Sequence, residues 1–392
     1  MSHFRTNRLL LVITGLWPLK TNVLQKLFFS LSIFFGFCHN ILHVGTVIVA
    51  SIEADIDVLL GTVPYILLSG AITIHLVLWL IKFNKIKNLL QRVYFTWEYF
   101  LPVERLILEK YAHKSRILTK IYIYVIYGPI IPYMFFQLYR SFKTPSAQVT
   151  GTTIHVVFDI KNFFGIGNYY YSVFAISFFG TFAIANVAFA IDSIFVVFIQ
   201  HASGMFAVLT QRLHDTKVAN SNYDKARNER EKNRKIIIEC LAVHQSIIEF
   251  SDLINTIFSL GLLISVTLYT VSLSFASFCA LEYRNMPNIM FRFVVITSGS
   301  LLQMFLKFWQ CQTLINHSSS FRNAIYGANW YNLSPKTRII LCFMLMRSEK
   351  DCKASAGKFF DMSFQSFSKI LSAAISYFAL LSHLRKSKSI LS

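Results

Sequence analysis

The residues that could carry out catalysis lie scattered along this sequence of 392 residues. Its six cysteines form no Cys-x-x-Cys pair and have no metal-ligand spacing with the histidines. Gly165 and Gly167 are followed by no third glycine and lack a strand–helix context, so they predict no dinucleotide site. No catalytic triad, zinc motif or phosphate-binding loop stands out. The sequence therefore predicts no enzyme, no metal site and no cofactor.

The clearest polar pattern lies in the last apolar segment. On a helix of about 3.6 residues per turn, six residues share one face that is about 80° wide. They are Gln365, Lys369, Ser372, Ser376, Leu380 and His383. Polar groups are costly in lipid, so this face must contact water or protein. Several copies around an axis could line a channel. An equally open alternative is a face packed against neighbouring helices, with the serines as small contact residues.

Aromatic side chains gather towards one end of several apolar segments, where they could line a pocket. The candidates are Tyr65, Tyr124, Tyr127, Tyr133, Tyr171, Phe174, Tyr269 and Phe275. An apolar pocket with a few hydroxyls suits a small, volatile, mostly apolar ligand. For any single tyrosine, an interfacial aromatic belt is the favoured alternative. Asp192 and His75 also lie inside apolar segments, and internal pairing is the favoured interpretation of both.

The elements that must position these residues are membrane helices. The chain is 54% hydrophobic, 16% aromatic and only 15% charged, whereas about a quarter of a typical soluble chain is charged. Seven segments reach the roughly 20 residues that a span requires. They are Leu27–Ala50, Leu59–Leu80, Ile121–Leu138, Tyr171–Ile199, Ile254–Ala280, Ile289–Trp309 and Phe359–Leu384. Ile339–Met346 is too short to cross, and Leu9–Leu19 is expected to lie in the interface or to re-enter.

Along the chain, the loops between the predicted spans contain few and many Lys and Arg residues in alternation. The positive-inside rule then predicts a cytoplasmic N-terminus and an extracellular C-terminus. The same rule explains the net charge of +19 without a nucleic-acid partner. We expect the fourth to sixth helices to extend into the cytoplasm and to pack against Ile339–Met346. The predicted regions are residues 1–210 with the ligand-binding helices, 211–358 with a cytoplasmic anchor, and 359–392 with the pore helix and tail.

The C-terminal third resembles the signature region of insect odorant receptors. The resemblance rests on the Trp330-Tyr331 pair, Ser334-Pro335, Ala356-Gly357-Lys358 and Ser376-Tyr377-Phe378. The run from Ile191 to Leu213 is similar to the same family. Gustatory receptors are the alternative within the superfamily, but their closing motif usually has Thr-Tyr and ends in Gln-Phe. A secondary transporter would show internal repeats, and none is convincing here.

The resemblance implies a non-selective cation channel that odorants open, in the plasma membrane of olfactory neuron dendrites. Its subunits form a heterotetramer with a common co-receptor. The long cytoplasmic insert of the co-receptor is missing here, so the chain resembles an odorant-specific subunit. The last helix is expected to be split into a cytoplasmic anchor piece and a pore-lining span. The odorant pocket is expected in the outer halves of the second to sixth helices.

The resemblance also assigns roles in the last helix. The hydrophobic gate falls on Leu380, with Leu384 one turn later, and His383 falls near the outer mouth. Lys369 departs from the pattern, because a cation in the pore would repel permeant cations. Either Lys369 faces a wide vestibule where its charge is screened, or the co-receptor subunits dominate conduction.

Overall fold

The described residues form a bundle of α-helices with two small antiparallel sheets. A computed structural model describes residues 5–19, 22–143, 149–150, 153–155, 159–161, 169–216 and 223–391. The helices of these residues are α1 Arg5–Ile13, α2 Val23–Ile52, α3 Ile56–Ile81, α4 Phe83–Tyr99, α5 Pro102–Lys143, α6 Tyr170–His214, α7 Tyr223–Glu282, α8 Pro287–Tyr326, α9 Pro335–Ser348 and α10 Phe364–Leu391. Between α5 and α6, the strands β1 Val149–Thr150, β2 Thr153–His155 and β3 Asp159–Lys161 form an antiparallel sheet.

Seven helices of the described residues are long and apolar enough to cross a membrane: α2, α3, α5, α6, α7, α8 and α10. Six of the predicted spans lie wholly within one of these helices, so the prediction of an all-α, seven-span protein is confirmed. The seventh predicted span begins too early. Phe359 lies in the turn of a hairpin, and α10 begins only at Phe364.

Helix α6 is the centre of the bundle and packs against α2, α3, α5, α7 and α8. Apolar residues lie on all sides of α6, which is the pattern of a helix that other helices surround. Gly180 allows α2 to approach closely, because an added Cβ there would lie 2.6 Å from the Cβ of His39. Small residues at such crossings are the usual basis of close helix packing in membranes.

Helix α7 has 60 residues, which corresponds to a length of roughly 90 Å. The hydrocarbon core of a bilayer is only about 30 Å thick, so much of α7 must project beyond it. Helix α9 packs against both α7 and α8, and this confirms the predicted packing of Ile339–Met346 for the fifth and sixth spans. Ser334 caps α9 by accepting a hydrogen bond from the Thr337 N–H.

The hairpin between α9 and α10 consists of β4 Ser355–Ala356 and β5 Phe360–Asp361. Gly357 in its turn has a φ of +59°, a conformation that glycine adopts without strain. The N–H of Gly357 donates to the Ser259 carbonyl of α7 at 2.9 Å, which fixes the hairpin to the bundle. The predicted span begins inside this turn, because Phe359, Phe360 and Met362 continue the hydropathy of the following helix.

Candidate ligand cavity and the polar face of the last helix

A mostly apolar cavity of about 200 Å³ lies between α2, α3, α5, α6, α7 and α8. Its walls include Leu68, Ile72, Ile126, Ile184 and Val295. A cavity of about 150 Å³ with similar walls can bind benzene. The space between these helices is therefore large enough for a small, mostly apolar molecule with a short substituent.

The structure brings three of the predicted ligand residues to this cavity: Tyr65, Tyr133 and Tyr269. Tyr65 lies between two other groups. The His43 ring stacks on one side, with centroids 5.9 Å apart, and the Arg292 guanidinium lies 5.7 Å from the Tyr65 ring centroid. Arg292 also lines the cavity, so this end of the apolar space carries a cation held by aromatic rings.

The other five predicted residues lie outside the cavity lining. Tyr124 and Tyr171 have 76% and 57% of their surface exposed, which fits an outward-facing aromatic belt better than a pocket. The Tyr127 hydroxyl donates to Asn186 at 2.6 Å. Phe174 is buried among aromatic neighbours, and Phe275 is half-buried.

Several residues of the cavity lining were not named from the sequence. The lining residues of α8 could have been found from their spacing in the sequence. Arg292, Ile296, Ser300 and Gln303 recur at intervals of three and four residues, so they share one face of α8. Three of these four are polar inside an apolar span. His39 of α2 also lines the cavity. The first span therefore contributes to the cavity wall, whereas the pocket was expected between the second to sixth spans alone.

A buried ion pair lies beside the cavity. Lys307 Nζ is 3.1 Å from Asp192 Oδ1, with the two side chains 4% and 6% exposed. The same Asp192 carboxylate accepts a hydrogen bond of 2.8 Å from Gln303 Nε2. The Lys307 ammonium also lies 5.1 Å from the centroid of the Tyr269 ring. Gln303 and Tyr269 line the cavity, so they connect its surface to the ion pair behind them.

His75 of α3 is also paired inside the bundle. Its Nε2 lies 2.6 Å from the Gly261 carbonyl oxygen of α7, and the Ser265 hydroxyl contacts the same nitrogen. The predicted internal pairing of Asp192 and of His75 is therefore confirmed. Each joins two membrane helices, α6 to α8 and α3 to α7.

Helix α10 has one packed and one open face. Ser274 Oγ of α7 donates to the Ala374 carbonyl oxygen at 2.9 Å, and Phe367 and Ile370 pack against the main hydrophobic core. At its far end, Arg385 pairs with Asp57 at 3.3 Å and with Glu282 at 3.2 Å. These contacts place one side of α10 against the bundle.

The predicted polar face of α10 is the open one. The side chains that it exposes are Gln365, Lys369, Ser372, Ser376, Leu380, His383 and Leu384. Leu380 and Leu384 are 54% and 57% exposed. The Ser372 and Ser376 hydroxyls donate to carbonyls of their own helix. Within the described chain, this face is therefore exposed rather than packed against neighbouring helices.

These features define a class of protein: a multi-pass helical membrane protein with a ligand-sized cavity inside its bundle. The 7tm odorant receptor family matches residues 57–375, and the chain belongs to this family. The members are receptors rather than enzymes.

Two relatives from Drosophila melanogaster illustrate the sequence similarity. Odorant receptor 13a is 29% identical over 210 residues, which are 50% of this chain and 49% of the relative. Putative odorant receptor 92a is 28% identical over 180 residues, which are 45% and 44% of the two chains. The chain thus spans about half the length of the curated relatives it matches.

The fold extends the similarity to the whole chain. The insect olfactory receptor OR5 from Machilis hrabei, solved in complex with eugenol, superposes with a TM-score of 0.71 and covers 98% of both chains at 11% identity. The same receptor solved in a second structure gives a TM-score of 0.70 over 97% of both chains. At this low identity the likeness concerns the fold alone.

Proposed function

We propose that this chain is an odorant-specific subunit of an odorant-gated, non-selective cation channel. The channel is a heterotetramer that the odorant co-receptor completes, in the plasma membrane of olfactory neuron dendrites. Its N-terminus is cytoplasmic, its C-terminus is extracellular, and it has no nucleic-acid partner. Helix α9 is the cytoplasmic anchor piece of the last helix. The proposed regions of the chain are residues 1–210, 211–358 and 359–392.

The observation that carries the proposal is the open polar face of α10. A polar face in a membrane requires water or protein as its neighbour, and the described part of this chain leaves it uncovered. Four such helices around an axis would enclose a path for permeant cations. Leu380 and Leu384 would close this path by dewetting, with Ser376 and His383 lining its wider parts.

Lys369 lies on the same exposed face, near the α9 end of α10. In the proposed channel it faces the wide cytoplasmic vestibule, where mobile ions screen its charge over about 10 Å. In the alternative arrangement, the co-receptor subunits dominate conduction.

The cavity of about 200 Å³ is the proposed odorant site. Tyr65, Tyr133 and Tyr269 contribute directly to its walls, while the other five aromatic candidates would act from outside the lining. The structure of the Machilis receptor with eugenol supports a small aromatic ligand for this fold. A ligand that binds the open state more tightly shifts the population towards it.

Helix α7 would transmit the ligand's effect to the pore. It carries Tyr269 in the cavity wall and, about one and a half turns further, Ser274, which donates to the backbone of α10. A displacement of this part of α7 would therefore move α10 and its leucines directly.

Assembly would use the exposed apolar face of α9. Ile339, Phe343 and Met346 recur at intervals of four and three residues, and they are 57%, 63% and 65% exposed. A contiguous exposed apolar surface on a projecting domain is typical of a protein–protein interface. The surface would join this chain to the co-receptor subunits.

The test is to express this chain with and without an insect odorant co-receptor and to record current against a panel of volatile compounds. The expected result is an odorant-evoked cation current only when both chains are present. Current from this chain alone would overturn the proposed dependence on the co-receptor. Silence in both conditions, with surface expression verified, would contradict the channel proposal.

A further inference from the structure

We infer that the cavity selects ligands that carry a hydroxyl group, and that this hydroxyl donates a hydrogen bond to the amide oxygen of Gln303. The inference rests on the proposed function, because it takes the cavity as the ligand site. It adds the chemical class of the ligand, an apolar alcohol or phenol, and the residue that selects it.

The ion pair behind Gln303 fixes the orientation of the amide. The Asp192 carboxylate beside Lys307 can accept hydrogen bonds but cannot donate them. The Gln303 group 2.8 Å from its Oδ2 is therefore the amide NH₂. The amide oxygen of Gln303 is on the same planar group and points away from the carboxylate. Because Gln303 lines the cavity, this oxygen is the acceptor that the amide can offer to a ligand.

The remaining polar side chains of the lining differ in what they can offer. The Ser69 and Thr181 hydroxyls donate to carbonyls of their own helices, Ile66 O and Ser177 O. Ser300 lies one turn before Gln303 on α8 and also lines the cavity, as does Tyr269. Gln303, Ser300 and Tyr269 thus form one polar part of the lining, and Tyr269 is hydrogen-bonded to the Gln303 side chain. Arg292, Tyr65 and Tyr133 add further polar groups to the same lining. The Ser300 hydroxyl can complete the hydrogen bonds of a ligand oxygen whose proton goes to Gln303.

The matching ligand has one hydroxyl and a compact apolar body. A ligand hydroxyl can donate a hydrogen bond to the Gln303 oxygen, whereas an ether or a hydrocarbon of the same shape has no proton to donate. A buried hydrogen-bonding position that the ligand leaves unused lowers the binding free energy. We expect the hydroxyl compound to act at about a tenfold lower concentration than its methyl ether, which corresponds to about 1.4 kcal/mol.

The experiment compares matched probes on the full chain co-expressed with the co-receptor. The probes are 4-methylphenol with 4-methylanisole, and 1-hexanol with its methyl ether. Wild type should respond to the hydroxyl member of a pair at the lower concentration. Gln303→Met keeps the side-chain length but removes the acceptor together with the hydrogen bond to Asp192, so the preference for the hydroxyl member of each pair should vanish.

Gln310→Met is the matched control. Gln310 lies on the same helix and accepts a hydrogen bond from Gln200 at 2.6 Å, but it is outside the cavity lining. Removing it should cost stability comparably while the preference for the hydroxyl compound is retained. A preference that disappears in Gln310→Met as well would reflect general loosening of α8 and would overturn the assignment to Gln303.

A binding measurement separates this inference from the proposed function. The melting temperature of the purified full-length chain is recorded with each probe, with no channel activity required. If no probe evokes current but the hydroxyl compounds raise the melting temperature more than the ethers, and only with Gln303 intact, the hydroxyl site stands and the channel proposal fails. If neither hydroxyl compound is preferred over its ether in this measurement, the inference is overturned. Loss of the preference in Ser300→Ala but not in Gln303→Met would overturn the choice of residue.

Discussion

The ionisable side chains inside the membrane helices are held by specific partners. Asp192 and Lys307 form an ion pair between α6 and α8, and Gln303 supplies a further hydrogen bond to the carboxylate. Two charges removed from water are tolerated only when they compensate each other and their remaining hydrogen-bonding positions are filled. The pair therefore fixes the relative position of two helices that both line the cavity. It also explains why an acid and a base occur in otherwise apolar segments.

Breaking the ion pair should be more harmful than removing it. Lys307→Met leaves the Asp192 carboxylate buried and uncompensated, at a cost of about 3–5 kcal/mol. Thermal unfolding of the purified chain should show a clearly lower melting temperature. The double variant Asp192→Leu with Lys307→Met removes both charges and should recover most of the loss. A melting temperature of Lys307→Met equal to that of the wild type would contradict this energetic role of the ion pair.

Helix α10 differs from the other membrane helices in its surroundings. Helix α6 is buried over most of its span, whereas α10 touches the bundle through one face and exposes the other. Its contacts with α7 include the bond from Ser274 to the Ala374 carbonyl, and its far end is held by Arg385. A helix attached along one side can tilt against its neighbour without breaking the core. This is the movement that a pore-lining element requires.

Leu380→Ser should raise the current in the absence of odorant, because a hydroxyl at the proposed constriction favours wetting of the pore. The measurement is basal current in cells that express both subunits, normalised to surface expression. Ile375→Ser is the matched control. Ile375 is exposed to a similar extent, 58% against 54%, but it lies on a different side of α10. Equal effects from the two substitutions would show that the side of the helix is irrelevant and would reject Leu380 as the gate.

At the scale of the whole molecule, one long helix connects the three proposed activities. Helix α7 contributes Tyr269 to the cavity, contacts α10 beside the proposed pore, and packs against α9 at the opposite end. The Arg212 guanidinium of α6 also links α6 to α5. Its Nε and one terminal nitrogen bind both oxygens of Glu104 at the start of α5, in a fork geometry that lysine cannot reproduce.

Phe343→Glu should prevent assembly of the channel while leaving the subunit folded, because the side chain is 63% exposed in the isolated chain. A charge in the centre of an apolar interface is strongly disfavoured. Co-purification with the co-receptor and native gel mobility would measure the loss. Lys350→Glu, at an exposed position just beyond α9, is the control and should assemble normally. Normal assembly of Phe343→Glu would exclude the α9 face as the interface.

The sequence by itself determined the membrane class, the seven spans and the two-faced character of the last helix. These properties follow from hydropathy over about 20 residues and from a helical period of 3.6, both of which are local. It also indicated Tyr65, Tyr133 and Tyr269 as aromatic residues able to line a pocket. The start of the last span was not predictable in this way, because Phe359, Phe360 and Met362 of the hairpin region resemble the beginning of the following apolar helix.

Only the tertiary structure decided which aromatic residues meet and what lies beside them. Tyr124 and Tyr133 belong to the same helix, yet one faces outward and the other lines the cavity. The rotation of a helix that is apolar all round depends on how its neighbours pack, and a single sequence does not encode this in its hydropathy. The pairing of Asp192 with Lys307 likewise joins residues more than a hundred positions apart. Such contacts arise from the packing of α6 against α8, so they follow from the fold rather than from any local pattern.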